Sequence, residues 1–228
     1  MNNKAEITVI ILTYNRIEGL KRVVNSVIKN TNDIAYELLV IIDNNDLASY
    51  NYCIENNIKC FLSSFHRDFV AQANMAMYAC ETKYFVKLDD DMAVLSPDWL
   101  SFGLRIYKEK FPDNLGLLLF NDGIQNGKVF TTGISSKDFI HWFGGYMYYP
   151  EYKHYGGDRE VTNIAKGIGC YYYEKDIHIN HYHPSQKTAD RDSTYKLSED
   201  KFWKQDQKLK KQRRDGINLP AERNFYLY

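Results

Sequence analysis

Apolar and polar positions along this chain fall into short blocks that switch between two periods. Glu6–Thr13 is a continuous apolar, β-branched run and predicts a buried strand. Arg16–Asn30 then carries Ile17, Leu20, Val24, Val27 and Ile28 at helical spacing, so one face is apolar. Tyr36–Ile42 predicts a second strand, Leu47–Asn56 a weaker helix, and Ile58–Leu62 a third strand. Asp68 is placed to cap a helix that runs to about Cys80, and Lys83–Leu88 follows as a fourth strand. Strands alternating with helices predict βαβ units and a mostly parallel sheet flanked by helices.

Beyond this half the same pattern continues. Ser96-Pro97 reads as a helix start running to about Lys110, with strands at Leu115–Phe120 and Lys128–Gly133. Gly156–Glu160 opens a further helix, and Gly169–Tyr173 and Ile177–His183 read as strands. Glu199–Asp215 reads as a charged helix with Phe202, Trp203 and Leu209 as its docking face. The expected division is a domain over 1–190, with a first half over about 1–95 and a second over about 96–190. A charged helical extension over 191–228 completes the chain.

With 228 residues, the chain can bury one sizeable core. The 29 basic and 29 acidic residues balance, which argues against a whole-surface polyanion binder. Glu199–Asp215 holds seven basic and four acidic residues, so it is net +3 and the remainder net −3. The longest apolar runs fall far short of the roughly 18 residues of a membrane span, so no integral membrane segment is expected. Met1–Lys4 leads straight into the first strand without a cleavage-site pattern, so no secretory signal is expected. Cys53, Cys60, Cys80 and Cys170 have no paired spacing and predict free thiols in a reducing, cytoplasmic setting.

Parallel sheets bind ligands beyond the carboxyl ends of their strands. Those ends carry Thr13-Tyr14-Asn15, Asp43 and Asp89-Asp90-Asp91. Three adjacent carboxylates repel one another, and a divalent cation relieves the repulsion. In an extended segment Asp89 and Asp91 share a face, which suits Mg²⁺ or Mn²⁺. His181 and His183 likewise share a face, with His178 opposite, and imidazole suits Mn²⁺-like ions. Asp158 follows Gly156-Gly157 at a helix start, where a carboxylate is favoured either as a cap or as a base near a ligand. Phe139–Tyr155 holds eight aromatics in seventeen residues, suiting either core packing or a platform for sugars or bases.

Taken in order, these motifs resemble glycosyltransferase family 2 and its GT-A fold. The resemblance rests on Ile7–Arg16, Val40–Asn45, Asp68–Met77, the DxD run Phe85–Asp91, Gly157–Glu160 and His181–His183. It covers about residues 5–185. It implies a metal-dependent, inverting transfer from a nucleotide-diphosphate sugar, commonly a UDP-sugar, to an acceptor hydroxyl. Thr13, Tyr14, Asn15, Arg16, Asp43, Asn74, Asp89 and Asp90 would bind the donor nucleotide, with Asp43 on the base. Asp89, Asp91 and His183, rather than His181, would hold Mn²⁺ or Mg²⁺. Asp158 would be the catalytic base, and Lys187 and Arg191 are candidates for diphosphate contacts. The acceptor is expected to be a saccharide, with a protein side chain or a modified nucleobase in DNA as further options. Two other classes compete. One is a nucleotidyltransferase, which usually needs a Gly-rich basic loop where this chain has Thr13–Gly19. The other is a non-catalytic nucleotide-sugar-binding module.

Overall fold

The computed structural model describes residues 4–184 and 193–216, with the side chains of the last helix described over 201–213. In order the elements are β1 (Ile7–Thr13), α1 (Ile17–Asn30), β2 (Tyr36–Asp43), α2 (Leu47–Glu55), β3 (Lys59–Ser63), α3 (Phe69–Ala79) and β4 (Tyr84–Asp89). Then follow β5 (Met92–Val94), α4 (Trp99–Lys110), β6 (Leu117–Asn121), β7 (Gly133–Ser136), α5 (Lys137–Phe143), α6 (Gly157–Gly167), β8 (Tyr171–His181) and α7 (Ser193–Gly216). One eight-stranded sheet runs β3-β2-β1-β4-β7-β6-β8-β5. Four of its seven pairings are parallel: β1–β2, β1–β4, β2–β3 and β6–β8.

Both faces of this sheet are covered, which explains the continuous apolar runs in its strands. Ile7, Val9 and Ile11 of β1 point to a core built with Leu20, Val23, Val24 and Val27 of α1 and Trp99, Leu100 and Leu104 of α4. Ile10 and Leu12 point to the other core, built with Val70, Ala73 and Met77 of α3, Phe139 of α5 and Ile164 of α6. In β4 the same alternation sends Val86 and Leu88 to the first core and Phe85 to the second. Lys87 and Asp89 therefore share the α3/α6 face.

Several elements differ from the sequence expectation. Helix α4 starts at Trp99 behind a left-handed Asp98, because Ser96 spends its hydroxyl on β8, accepting from His178 N at 2.9 Å. Residues 128–132 form a loop, not a strand: the Phe130 amide donates to Thr162 Oγ1 of α6 at 2.8 Å instead of to a neighbouring strand. The two expected late strands are one, β8, which pairs with β6 through its first half and with β5 through its second. The aromatic segment opens as helix α5, capped by Ser136 Oγ accepting from Phe139 N at 2.9 Å. Helix α3 has its expected cap, with Asp68 Oδ1 accepting from Ala71 N at 3.0 Å. Among the described residues, no helix is long and apolar enough to cross a membrane.

Candidate active site

The carboxyl ends of β1, β2, β4, β6 and β8 meet at one edge of the sheet. There the β1–α1 loop is built around Asp90. Its carboxylate accepts from Thr13 Oγ1 at 3.0 Å, Tyr14 N at 3.1 Å and Arg16 Nη1 at 3.1 Å. Burial lifts the Asp90 carboxyl to about 7, against the pull of Arg16. Asn15 takes a left-handed φ of 52°, and its amide donates to Asp46 Oδ2 at 2.7 Å. Of the residues expected to contact donor, Asp90 thus turns inward and holds the loop that presents Thr13, Tyr14 and Asn15.

Asp43, fully buried at the end of β2, also spends its carboxylate within the chain. Oδ1 meets His66 Nδ1 at 2.7 Å, and Oδ2 accepts from Arg67 N at 2.7 Å and Gln72 Nε2 at 3.1 Å. Arg67 Nε donates to Tyr14 Oη at 3.0 Å, and the His66 ring sits edge-on to Tyr14 at 5.7 Å. His66, with a side chain 41% exposed, is the part of this network that opens to solvent. Nothing in the sequence pattern singles out His66, Arg67 or Gln72, because they reach Asp43 across the fold.

Asp89, Asp90 and Asp91 do not form one extended run: Asp89 ends β4, and Asp90 and Asp91 make the turn into β5. Lys87, only 2% exposed, donates to Asp89 Oδ2 at 2.7 Å. Asp89 Oδ1 is buried without a hydrogen-bond donor. Burial pushes the Asp89 carboxyl up, against the charge of Lys87. Asp91 Oδ2 lies 3.5 Å from Arg16 Nη1, and Asp91 Oδ1 lies 3.5 Å from His181 Nε2. The backbone explains the last contact. Antiparallel pairing of β5 with β8 puts Met92 opposite His181, and Tyr182 N donates to Asp91 O at 2.7 Å. His183 stands behind, its ring 5.4 Å from that of His181.

His181 is also 3.6 Å from Asp122 Oδ2. Burial works against its positive charge, but Asp122 and Asp91 override burial and lift the imidazole to about 9. Burial and the charge of His181 together push His183 down. Asp122 opposes its own burial with the nearby His181 imidazole and with hydrogen bonds from Gln125 N at 2.7 Å and Thr131 Oγ1 at 2.8 Å, and stays below its ordinary value. Asp122 was missed from sequence. Its signal is the one that marks Asp43 and Asp89, an acidic residue closing an apolar strand.

Asp158 occupies the first turn of α6, accepting from Arg159 N at 2.7 Å. Burial raises its carboxyl, against that hydrogen bond and the charges of Lys87 and Arg159. The Tyr148 hydroxyl is raised well above its ordinary value by burial and by the charges of both Asp158 and Asp89. Lys87 and Tyr148 are therefore common neighbours of the DxD turn and of α6, although neither stands out by spacing. Asn74 contributes to the loop before α6 rather than facing outward. Its Oδ1 accepts from Met147 N at 2.9 Å and Tyr148 N at 3.0 Å, and its Nδ2 donates to Tyr148 O at 2.8 Å. Lys187 and Arg191 lie outside the described residues.

Among the described residues no three metal-binding groups already converge. The donor chemistry nevertheless suits a hard divalent cation. Asp89 offers a buried oxygen without a donor, and Asp91 and an imidazole face each other one residue-turn away.

A helix-covered, mixed α/β sheet with acidic residues at its carboxyl edge is the architecture of GT-A glycosyltransferases, and solved structures of that class superimpose on it. Residues 8–123 match the profile of Glycosyl transferase family 2, and the chain belongs to that family. A mannosyltransferase from Pyrobaculum calidifontis, solved with GDP-Man and Mn²⁺, has a TM-score of 0.60 at 14% identity, over 79% of this chain and 57% of its own. TarS from S. aureus gives 0.58 at 15% identity, over 76% of this chain and 36% of its own. Residues 1–349 of TarS, solved with UDP-GlcNAc, give 0.58 at 16% identity, over 76% and 57%. This chain therefore spans well under two thirds of those proteins. No protein of curated function matches it.

Proposed function

We propose that this glycosyltransferase moves a sugar from a nucleoside-diphosphate sugar, with UDP-sugar as first choice, to an acceptor hydroxyl with inversion at C1. The reading is supported by one juxtaposition: a desolvated carboxylate, Asp158, shares Lys87 and Tyr148 as neighbours with Asp89 of the DxD turn. Solved relatives of the same fold carry UDP-GlcNAc or GDP-Man with Mn²⁺.

In this proposal Thr13, Tyr14 and Asn15 line the nucleotide. Asp43 orients His66, which keeps its Nδ1 toward Asp43 and presents Nε2 to the base edge. Asp89, Asp91 and an imidazole of the His181–His183 pair would hold Mn²⁺ or Mg²⁺, with Lys187 and Arg191 proposed for the diphosphate. A bound divalent ion supplies Lewis-acid stabilisation of the departing diphosphate. Asp158 takes the proton of the acceptor hydroxyl as its oxygen bonds C1. The C1–O bond to the diphosphate breaks, and its electron pair leaves with that oxygen. A raised pKa suits this role, because a base works best when its pKa nears the working pH.

The test uses release of nucleoside diphosphate from UDP-sugars and thermal shift with UDP and Mn²⁺. Asp158→Asn should keep the shift and lose about 10²- to 10⁴-fold in turnover. Asp91→Ala should lose the metal-dependent shift. Wild-type turnover by Asp158→Asn would assign the base elsewhere.

A further inference from the structure

Helix α7 is fastened to the body by buried polar contacts. Asp206, 0% exposed, accepts from the amides of Lys153, His154 and Tyr155 at 3.1, 2.9 and 2.8 Å. This docking makes the helix and the loop before α6 a single surface. Along that surface four rings follow one another: Trp203 to Tyr155 at 5.1 Å, Tyr155 to His154 at 4.6 Å, and His154 to Phe69 at 5.5 Å. The series ends at the site, since Phe69 lies 4.8 Å from Lys87 Nζ, which holds Asp89. At the outer end Trp203 is 48% exposed. Of the eight aromatics in 139–155, Phe139, Phe143, Tyr148 and Tyr152 are core, so Tyr155 and its neighbour His154 form a platform completed by Phe69 of α3 and Trp203 of α7.

Beside the rings the helix is basic. Lys201, Lys204, Lys208 and Lys211 are exposed, and Lys210, half-buried, is near enough to act on Asp158. Asp206 is the lone acidic residue within 201–213, and it is buried and fully engaged. Phe202 and Leu209 face inward, so Trp203 is the single exposed ring of 201–213 and no apolar face is left for a membrane.

From this pairing of a ring track with the exposed lysines of 201–211, we propose that the acceptor is a hydroxyl-bearing nucleic acid. Unpaired bases would stack on Trp203 and Tyr155, with the phosphate backbone along α7. Stacking platforms beside positive charge are how single strands are held, and a neutral saccharide leaves the lysines without a purpose. The inference rests on the transferase reading above. It adds that the hydroxyl receiving the sugar belongs to a ribose or a modified base, its proton passing to Asp158.

The test measures anisotropy of fluorescein-labelled 20-residue oligodeoxy- and oligoribonucleotides between 50 and 300 mM salt, with UDP/Mn²⁺ thermal shift on the same samples. Binding should weaken steeply with salt. Lys204→Glu/Lys208→Glu/Lys211→Glu should lower the log–log salt slope by about 2, from about 0.7 per lost phosphate contact. Trp203→Ala should weaken binding about tenfold at unchanged slope, the loss of one stacked base. Both variants should keep the UDP shift, which shows that they are folded. Absent or salt-insensitive oligonucleotide binding, wild-type binding by both variants, or their loss of binding only to anionic vesicles or neutral oligosaccharides would overturn the proposal. A normal UDP shift with no oligonucleotide binding removes this inference alone. Oligonucleotide binding without any nucleotide shift removes the donor reading instead.

Discussion

Arg213 grips Glu160 with both sides of its guanidinium: Nε lies 3.0 and 2.9 Å from the two carboxylate oxygens, and Nη2 lies 2.8 Å from Oε1. Its Cζ also stacks 3.3 Å from the centre of the Tyr149 ring, and Tyr152 Oη donates to Glu160 Oε2 at 2.9 Å. Glu160 is two residues beyond Asp158, so the last described turn of α7 is tied to the turn that carries the proposed base. Arg213→Ala strips a largely covered carboxylate of its partner and should cost about 3 kcal/mol in urea unfolding. Arg213→Lys keeps the charge but not the planar fork, and should recover only part of that loss. Turnover should fall further than nucleotide affinity, because α6 is loosened while the β1–α1 loop is untouched.

Gly19 is a glycine for want of space. A Cβ there would stand 2.3 Å from the carbonyl oxygen of Asp90, a backbone atom that accepts from Arg22 Nη2 at 3.3 Å. Gly19→Ala must therefore move α1 away from the DxD turn. The expected result is a lower melting temperature together with loss of the UDP/Mn²⁺ shift, read in one thermal-shift series.

Lys87 is the internal counter-charge of Asp89. Lys87→Met fits the covered space but leaves Asp89 beside Asp91 without an ammonium. Without added metal the variant should melt lower than wild type. With Mn²⁺ it should recover more of its melting temperature than wild type gains, since the ion then relieves all of the repulsion. An equal Mn²⁺ gain in both proteins would remove Lys87 from this role.

Burial pushes the His154 imidazole down to about 4, with Arg16 and Lys87 adding to the effect against Asp206. Its folded pKa is below its ordinary 6.5, so the folded state excludes a proton that the unfolded chain accepts. This contribution is whole above pH 6.5 and is lost as pH falls from 6.5 through 4. His154→Phe, which keeps the ring against Phe69 and Tyr155, removes this contribution, so its melting temperature should rise relative to wild type as pH falls through that window.

Much of the fold was legible because its signals are local. The apolar strands β1, β2 and β4, the stripe on α1 and the Asp68 cap each depend on neighbours within a few residues. Where a residue's partner was distant, the reading slipped. Ser96 looked like a cap until β8 claimed its hydroxyl, and 128–132 looked like a strand until Thr162 claimed an amide. Which of His181 and His183 meets Asp91 was likewise outside local reach: the β5–β8 register brings His181 against it.

The sequence alone determined which residues end the strands, and hence that Asp43, Asp89, Asp90 and Asp91 gather on one polar edge. Strand periodicity and acid–base chemistry suffice for that. Only the folded chain decided how each carboxylate is used: Asp90 turned inward to a loop, Asp43 saturated by His66 and Gln72, Asp89 paired with Lys87, and Asp158 lifted by burial. Charge state and hydrogen bonding depend on which groups lie within a few ångströms and on how much water remains, and both are set by contacts between residues far apart in the chain.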